Sequence, residues 1–390
     1  MNPFASRLDN LKPEGAYVVM TQAQALEAQG AEIIHLEIGQ PDRDTFAHIS
    51  QAGIDAIQAG HTRYNPPSGL KEFRSVIAKT AGEQRGMLIS PNQVVVGPGA
   101  KPGLFFPTLA LVEAGDEVLY PDPGFPTYRA MIEVAGGKPV PVPLLEQHHF
   151  SFNLEAFDRL VSDRTKLIIL NSPGNPTGGV MPVEDLKHIA RAALDHGIWI
   201  ISDEIYSRLD LNQEGVPSIA ALPGLQDQTI IVDGFSKTYA MTGWRLGYGI
   251  MPEVLAQRVD LLLTHSIGCT ATFTQIAGIH ALTSPQDKVA EMVADYRKRR
   301  DRLVSGLNSI PGISCQLPQG AIYAFPNVSS FGVPVVELAK RLLFEAGVAV
   351  LPGTDFGEFG EGYLRLCFAA SLQEIDKALE RISNFIQKVY

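Results

Sequence analysis

Short apolar runs rich in β-branched residues alternate with longer helix-like stretches between about residues 90 and 250, and this alternation strongly constrains the fold. Strands separated by helices form βαβ units, in which the strands lie parallel and the helices cover the sheet. The predicted strands cover residues 93–96, 117–120, 166–170, 199–202 and 229–232, and a predicted helix covers 183–196. The sequence therefore predicts an α/β fold with a mainly parallel sheet flanked by helices.

The remainder of the chain predicts a second, smaller α+β domain. A charged helical pattern covers 288–309, two short strand patterns follow at 322–325 and 363–368, and a last helix covers 372–388. A chain of 390 residues also exceeds the size of one comfortable core. We predict an N-terminal arm and part of the small domain at 1–45, a large domain at 46–285 and a small C-terminal domain at 286–390.

Composition and charge exclude several classes of protein. Hydrophobic residues make up 45% and charged residues 19%, which is ordinary for a soluble globular protein. The formal net charge of −10 argues against a nucleic-acid partner, and no apolar run approaches the roughly 18 residues that span a membrane. Residues 1–30 show no signal-peptide pattern, and Cys269, Cys315 and Cys367 lack metal-ligand or disulfide spacing. These features predict a cytoplasmic protein without a metal site.

Each predicted strand of the large domain runs directly into a polar or glycine-rich loop. In an open α/β sheet, ligands bind outside the carboxyl ends of the strands, where such loops meet. The loops lie at 97–101, 121–125, 171–178, 203–206 and 233–237. Their convergence on one edge of the sheet predicts a ligand-binding site.

Lys237 stands in the last of these loops and is the candidate nucleophile. A lysine is most often a surface residue, but this one follows the apolar run 230–232 and precedes a second cation, Arg245. Burial and a neighbouring positive charge lower the pKa of an amine, so that it can act as nucleophile and base. The arrangement suits a lysine that forms an imine with an aldehyde cofactor whose phosphate lies at Arg245. Pyridoxal 5′-phosphate is the candidate cofactor.

Four residues of the other loops could surround a planar heteroaromatic ring. Asp203 is either a helix N-cap or a carboxylate that keeps a pyridine nitrogen protonated. Tyr206, one helical turn later, is either a packing residue or a partner of the ring oxygen. Asn175 is either a turn asparagine or a donor to the same oxygen. Phe125 could stack on the ring.

The glycine-rich turn at 97–103 allows two interpretations. It resembles a dinucleotide-binding fingerprint, but its spacing differs by one residue, and Pro102 stands where a phosphate-binding N–H group would be needed. Alternatively, backbone N–H groups at the start of a helix cradle a single phosphate, and Ser236 and Arg245 complete that cradle.

Arg365 lies in the predicted strand 363–368, where alternation puts it on the face opposite Leu364 and Leu366. It is either an arginine on a solvated strand face or a bidentate clamp for a substrate carboxylate. Gly39 is either a turn glycine or a position at which the backbone approaches that carboxylate.

Together these motifs resemble those of the class I/II aminotransferases, pyridoxal-phosphate enzymes of fold type I, and the likeness extends over essentially the whole chain. The matching motifs lie, in the family's order and spacing, at 175–178, 203–206 and 236–245. The resemblance implies that the large domain binds the cofactor and that Lys237 is the Schiff-base lysine and the proton-transfer base. It also implies that Asp203 contacts the pyridine nitrogen, that Tyr206 and Asn175 contact the ring oxygen, and that Phe125 stacks on the ring face. It further implies that the phosphate is surrounded by Gly99, Ala100, Lys101, Ser236 and Arg245. The substrate would be bound by Arg365 and Gly39, with Phe125 and Asn175.

Tyr64 matches a tyrosine that in this family reaches the phosphate of the other subunit, which implies a homodimer with shared active sites. Two positions differ from the family pattern. Gly234 stands where many members carry a serine, and Phe125 stands where aspartate-selective members often carry a tryptophan.

We therefore predict a pyridoxal-phosphate-dependent aminotransferase. It moves the amino group of an L-amino acid, aspartate or another, to a 2-oxo acid such as 2-oxoglutarate by a ping-pong mechanism. One alternative keeps the cofactor and changes the outcome to β-elimination, as in a carbon–sulfur lyase. The others are a non-enzymatic cofactor-binding sensor and a nicotinamide dehydrogenase.

Overall fold

The computed structural model describes residues 4–9 and 11–389, which form α-helices, β-strands and short 3-10 turns. The helices are α1 (Gly15–Glu27), α2 (Ala47–Gln58), α3 (Lys71–Arg85), α4 (Lys101–Leu111), α5 (Thr127–Ala135), α6 (Leu154–Leu160), α7 (Val183–His196), α8 (Glu253–Thr264), α9 (Thr272–Thr283), α10 (Asp287–Asn308), α11 (Val335–Ala346) and α12 (Leu372–Val389). The strands are β1 (Ile34–His35), β2 (Val94–Gly97), β3 (Glu117–Asp122), β4 (Lys138–Pro143), β5 (Thr165–Asn171), β6 (Trp199–Asp203), β7 (Thr229–Gly234), β8 (Gly247–Ile250), β9 (Tyr323–Ala324), β10 (Val348–Ala349), β11 (Leu351–Pro352) and β12 (Leu364–Cys367).

A seven-stranded sheet in the order β2-β8-β7-β6-β5-β3-β4 is formed by strands between residues 94 and 250. Strand β8 runs antiparallel to both of its neighbours, whereas the pairs from β7 through β4 are parallel. The central strands β6 and β7 are almost wholly buried, as expected where helices cover both faces of a parallel sheet. The predicted α/β fold with a mainly parallel sheet is confirmed.

All five predicted strands of this sheet are present, as β2, β3, β5, β6 and β7, and the helix predicted at 183–196 is α7. Two strands, β4 and β8, are not predicted by the sequence pattern. Strand β4 carries alternating prolines, which lack the N–H group of a sheet ladder. It forms the edge of the sheet and pairs with β3 alone, and an edge position tolerates proline.

A two-stranded sheet brings the ends of the chain together, and a three-stranded sheet lies in the C-terminal part. Strand β1 pairs in parallel with β10, so that Ile34 lies opposite Val348, and β9, β11 and β12 form an antiparallel sheet. Helices α10 and α12 match the predicted helices of this part of the chain. The N-terminal residues thus pair with a C-terminal strand, while the domain boundaries after residues 45 and 285 stay a prediction.

Within residues 4–9 and 11–389, none of the helices has the length and apolar character to cross a membrane.

Candidate active site

The carboxyl ends of the parallel strands open into a cavity of about 540 Å³. Asn171 at the end of β5 lies beside Asp203 at the end of β6, and the loops after β2, β3 and β7 complete this edge. Apart from Tyr64 and Gly99, the predicted site residues all line the cavity: Gly39, Ala100, Lys101, Phe125, Asn175, Asp203, Tyr206, Ser236, Lys237, Arg245 and Arg365. The predicted convergence of the loops is therefore present.

Lys237 has the environment of a reactive amine. Loss of hydration, together with the positive charges of Arg365 and Arg245, lowers its pKa to about 8. Its Nζ donates a hydrogen bond to the carbonyl oxygen of Gly39. A Cβ atom on Gly39 would collide with the hydroxyl of Tyr323, so this position requires glycine. A substantial fraction of the Lys237 amine is therefore neutral near pH 8.

Asp203 is a buried carboxylate held by two donors. Its Oδ2 accepts a hydrogen bond of 2.6 Å from the hydroxyl of Tyr128, and its Oδ1 accepts one of 3.3 Å from the N–H of Ile205. Burial raises the pKa of Asp203 to about 6, although the Tyr128 bond opposes this shift. The carboxylate is fixed in direction, and a cationic partner would bring its pKa down again.

Tyr206 and Tyr323 form a buried pair. Their hydroxyl oxygens lie 2.8 Å apart, and their rings meet edge to face with centroids 5.7 Å apart. Burial raises the pKa of both groups, so both hydroxyls stay protonated at neutral pH. One of them donates to the other, which leaves the second proton for a further acceptor.

Arg365 is 4% exposed, which rules out a solvated strand face. Its Nη1 donates to Oδ1 of Asn175 over 3.1 Å, and its Nη2 donates to the carbonyl of Glu37. The guanidinium lies 4.5 Å from the ring centroid of Tyr323 and 4.9 Å from that of Phe356. Its Nε has no hydrogen-bond partner within the described part of the chain. The site therefore holds a rigid cation with an unused donor.

The opposite end of the cavity lies at the start of α4. Ala100 occupies the N-cap position and provides no side-chain cap, so the first N–H groups of the helix lack that partner. Arg245 bonds the carbonyls of Thr242 and Pro98, at 3.0 and 3.3 Å. A Cβ atom on Gly99, which has a φ of +92°, would collide with the Arg245 guanidinium. Backbone donors and a cation thus meet in one cradle.

The side chain of Lys101 points away from this cradle. Its Nζ forms an ion pair with Glu14 and lies 5.2 Å from the centroid of the Phe125 ring. The ring of Phe125 meets Tyr128 edge to face, with centroids 5.7 Å apart.

Comparison with known proteins identifies the family. The model of the aminotransferase class I and II family matches residues 31–382. An aspartate aminotransferase of Geobacillus stearothermophilus is 38% identical over 390 residues, which cover 98% of this chain and 99% of that protein. This chain is a class I/II aminotransferase.

Two further relatives agree with this assignment. A probable aspartate/prephenate aminotransferase of Aquifex aeolicus is 38% identical to the present aminotransferase, over 99% of both chains. The structure of an aspartate aminotransferase from Thermus thermophilus with maleate superposes with a TM-score of 0.94 at 36% identity and covers 98% of this chain and 100% of that one. The aminotransferase is a pyridoxal-phosphate-dependent transaminase. None of these relatives supports the lyase, sensor or dehydrogenase alternatives.

The residues that line the cavity of the aminotransferase fit pyridoxal phosphate. The cradle of α4 and Arg245 suits a phosphate, because a helix N-terminus and a cation both attract anions. Lys237 offers an amine to the aldehyde, and Asp203 offers a buried carboxylate to the ring nitrogen. The buried guanidinium of Arg365, which lines the cavity, suits a carboxylate of the substrate.

Several residues of the site, Tyr128, Tyr323 and Glu14 among them, are not predicted from the sequence. Tyr128 is one helical turn after Phe125, and that spacing could have indicated it. Tyr323 lies in a predicted strand, but nothing in its neighbourhood marks its hydroxyl. Glu14 precedes α1, and no sequence pattern connects it with Lys101.

A buried ionic cluster lies behind Asp203 in the aminotransferase. The guanidinium of Arg85 is 2.8 Å from Oε2 of Glu204 and 3.5 Å from Oδ2 of Asp233, and all three side chains are almost fully buried. Oε1 of Glu204 accepts hydrogen bonds from Ser202 and Ser218. The cluster ties the end of α3 to the carboxyl ends of β6 and β7.

Proposed function

We propose that this aminotransferase moves the amino group of an L-amino acid, aspartate or another, to a 2-oxo acid such as 2-oxoglutarate in two ping-pong half-reactions. The observation that carries the proposal is the convergence of Lys237, Asp203 and Arg365 on one cavity. They are a nucleophilic amine, a buried carboxylate and a buried guanidinium. The names of the Geobacillus and Aquifex relatives, which include aspartate, support an acidic amino donor.

Arg365 is proposed to bind the α-carboxylate of the substrate. Asn175 and the Glu37 carbonyl fix the orientation of the guanidinium, whose fork of N–H donors matches a carboxylate. Gly39, which lines the same cavity and whose missing side chain makes room for the Tyr323 hydroxyl, would let the backbone approach this carboxylate. Because Lys237 bonds the Gly39 carbonyl, its amine lies at the same end of the cavity.

Lys237 is proposed to hold the cofactor and then to move the proton of the substrate Cα. When bound, pyridoxal phosphate supplies a ring that takes up the negative charge left at that carbon. Asp203, oriented by Tyr128, keeps the ring nitrogen protonated. A pKa of about 8 suits Lys237 for accepting and returning a proton near neutral pH.

The remaining residues are proposed to position the cofactor. Phe125 would stack on the ring face. Tyr206, supported by Tyr323, would donate to the ring oxygen together with the amide of Asn175. Gly99, Ala100, the backbone of Lys101, Ser236 and Arg245 would hold the phosphate.

We further propose a homodimer with shared active sites. Tyr64 is 99% exposed. A cleft of about 730 Å³, lined by Thr242, Arg245 and Thr270 among others, lies beside the phosphate end. A second copy that inserts Tyr64 into this cleft would cover both features.

The free cysteines support a cytoplasmic location. The β1–β10 pair supports an arm at 1–45 that joins the small domain.

A panel of amino donors, tested with 2-oxoglutarate and with pyruvate as acceptors, checks the proposed function. We expect a new amino acid to form in amounts that match the 2-oxo acid released from the donor. Lys237→Ala should abolish both this transfer and the near-visible absorbance of the bound cofactor. Release of pyruvate and ammonia without an acceptor would instead identify an eliminating lyase.

A further inference from the structure

Asp122 is a buried carboxylate at the carboxyl end of β3, and it lies outside the set of residues that line the cavity. Its side chain belongs to a residue that is only 2% exposed. Its Oδ2 accepts a hydrogen bond of 3.1 Å from the N–H of Glu358, and its Oδ1 accepts one of 3.0 Å from the N–H of Phe359. Both oxygens are therefore bound by the backbone of a segment that is distant along the chain.

Two further features fit this segment, the 353–360 loop, closely to the end of β3. The N–H of Gly124 donates a hydrogen bond of 2.7 Å to the carbonyl of Phe356. Gly357 has a φ of +134°, and a Cβ atom on it would collide with the carboxylate of Asp122. Both the backbone conformation and the close approach therefore require glycine at this position.

The 353–360 loop also contacts Arg365, which follows it in β12. The two ends of the loop meet, since a Cβ atom on Gly360 would collide with the carbonyl of Gly353. Between these ends lies Phe356, which is buried, and its ring centroid is 4.9 Å from the Arg365 guanidinium, a cation–π distance. A shift of the loop would therefore move a ring that contacts the guanidinium.

We propose that Asp122 is a positioning residue for substrate binding: its carboxylate fixes the 353–360 loop, and the loop holds Phe356 against Arg365. This inference rests on the proposed function, in which Arg365 binds the α-carboxylate of the substrate. Hydrogen bonds also hold the guanidinium, and the ring of Phe356 adds a contact that these bonds do not supply. Asp122 thus acts on the substrate through two other residues and touches neither the substrate nor the cofactor.

Loss of the Asp122 contact should weaken substrate binding and leave the chemical step unchanged. A carboxylate held by Arg365 is bound equally before and during the reaction, and loss of such uniform binding raises KM at constant kcat. In Asp122→Asn an amide NH₂ group replaces one acceptor and faces a backbone N–H, so that one bond is lost and two donors oppose each other.

The probe is maleate, an unreactive dicarboxylate, which is titrated calorimetrically into the cofactor-loaded enzyme. In Asp122→Asn we expect the maleate Kd and the KM of the amino donor to rise about tenfold, as for the loss of a hydrogen bond to a charged group. The kcat should stay within about twofold of the wild-type value. A general loosening of the fold would instead lower kcat as well.

Further variants make the result specific, with thermal unfolding to confirm that each one is folded. Gly357→Ala breaks the same contact from the side of the loop, keeps the Asp122 charge and should also raise the maleate Kd. Phe356→Leu removes the ring from Arg365, and adding Asp122→Asn to it should change the maleate Kd little further, because both act through one contact.

Glu358→Gln is the matched control for Asp122→Asn. It also removes one negative charge from this contact region, but the Glu358 side chain is exposed, and the backbone N–H that bonds Asp122 is kept. The maleate Kd of this control should stay within about twofold of the wild-type value.

An unchanged maleate Kd in both Asp122→Asn and Gly357→Ala would overturn the proposal, as would a fall in kcat at constant KM. Failure of the proposed function looks different. In that case no amino donor supports transfer by the wild-type enzyme, while the maleate Kd still differs between Asp122→Asn and its control, because binding of maleate does not require turnover. Full maleate affinity in Arg365→Lys would overturn the proposed role of Arg365 and, with it, the role of Asp122.

Discussion

At the scale of single residues, the amine of Lys237 has a property that can be measured without the cofactor. Its pKa is lowered to about 8, mainly by loss of hydration, with Arg365 and Arg245 adding positive charge nearby. A lowered pKa means that the amine loses its proton earlier as the pH rises. The neutral, reactive form therefore accumulates between about pH 7 and 9, whereas an unperturbed lysine needs about pH 10.4.

We expect acylation of Lys237 in the cofactor-free protein to rise with pH with a midpoint near 8. The measurement is peptide mass spectrometry after brief exposure to an amine-selective reagent, with a lysine peptide as reference. Arg365→Met should move the midpoint upward, because it removes one of the positive charges. A wild-type midpoint equal to that of the reference peptide would contradict the buried environment described for this amine.

The site residues differ in how far the sequence reveals them. Asp203, Lys237 and Arg245 follow strands and carry the chemistry in their own side chains, so motif and position together predict them. Tyr128 and Tyr323 act through other residues, by hydrogen bonds to Asp203 and Tyr206. Such contacts depend on how the loops pack, and the spacing of residues along the chain does not contain that information.

At the scale of secondary-structure elements, α3 is joined to the sheet by a buried charge. Arg85 ends α3 and pairs with Glu204 and Asp233 beside β6 and β7, where all three side chains are almost fully buried. Removing one member of a buried ion pair leaves the other charges without compensation.

Arg85→Met should therefore lower the free energy of unfolding by about 3–5 kcal/mol. Chemical denaturation of the cofactor-free protein measures this loss. The matched control is Lys288→Met, which breaks an ion pair with Glu291 on the surface of α10, where both side chains are more than half exposed. That control should change stability by less than about 1 kcal/mol. Equal effects of the two substitutions would contradict the assigned role of Arg85.

The strands show which elements can be predicted from sequence. Strands β6 and β7 are continuous apolar runs and are recognised at once. Strand β4 is missed because its prolines are compatible only with a sheet edge, and edge position is a property of the assembled sheet. Strand β8 is missed because two of its four residues are glycine, which is depleted in strands.

At the scale of the whole molecule, the proposed dimer makes the two copies dependent on each other. We expect sedimentation to show a dimer and Tyr64→Ala to weaken cofactor binding about tenfold, the equivalent of one hydrogen bond to a charged group. Tyr64→Ala chains mixed with Lys237→Ala chains should recover wild-type affinity at one site per mixed dimer. That site combines an intact lysine from one copy with an intact tyrosine from the other. A monomer, or mixed dimers without recovery, would contradict shared sites.

The parallel pair of β1 with β10 also sets an order of assembly. Every strand of the seven-stranded sheet has been synthesised once residue 250 is made. Ile34 of β1, in contrast, cannot pair until Val348 of β10 has been synthesised. Domains fold as units as the chain emerges from the ribosome. We therefore expect the sheet that ends at Asp203 and at the loop of Lys237 to form while the N-terminal arm is still unpaired. Arg365 is synthesised after β10, the partner of β1. A nascent chain therefore forms the cofactor-binding part of the site before the part that binds the substrate.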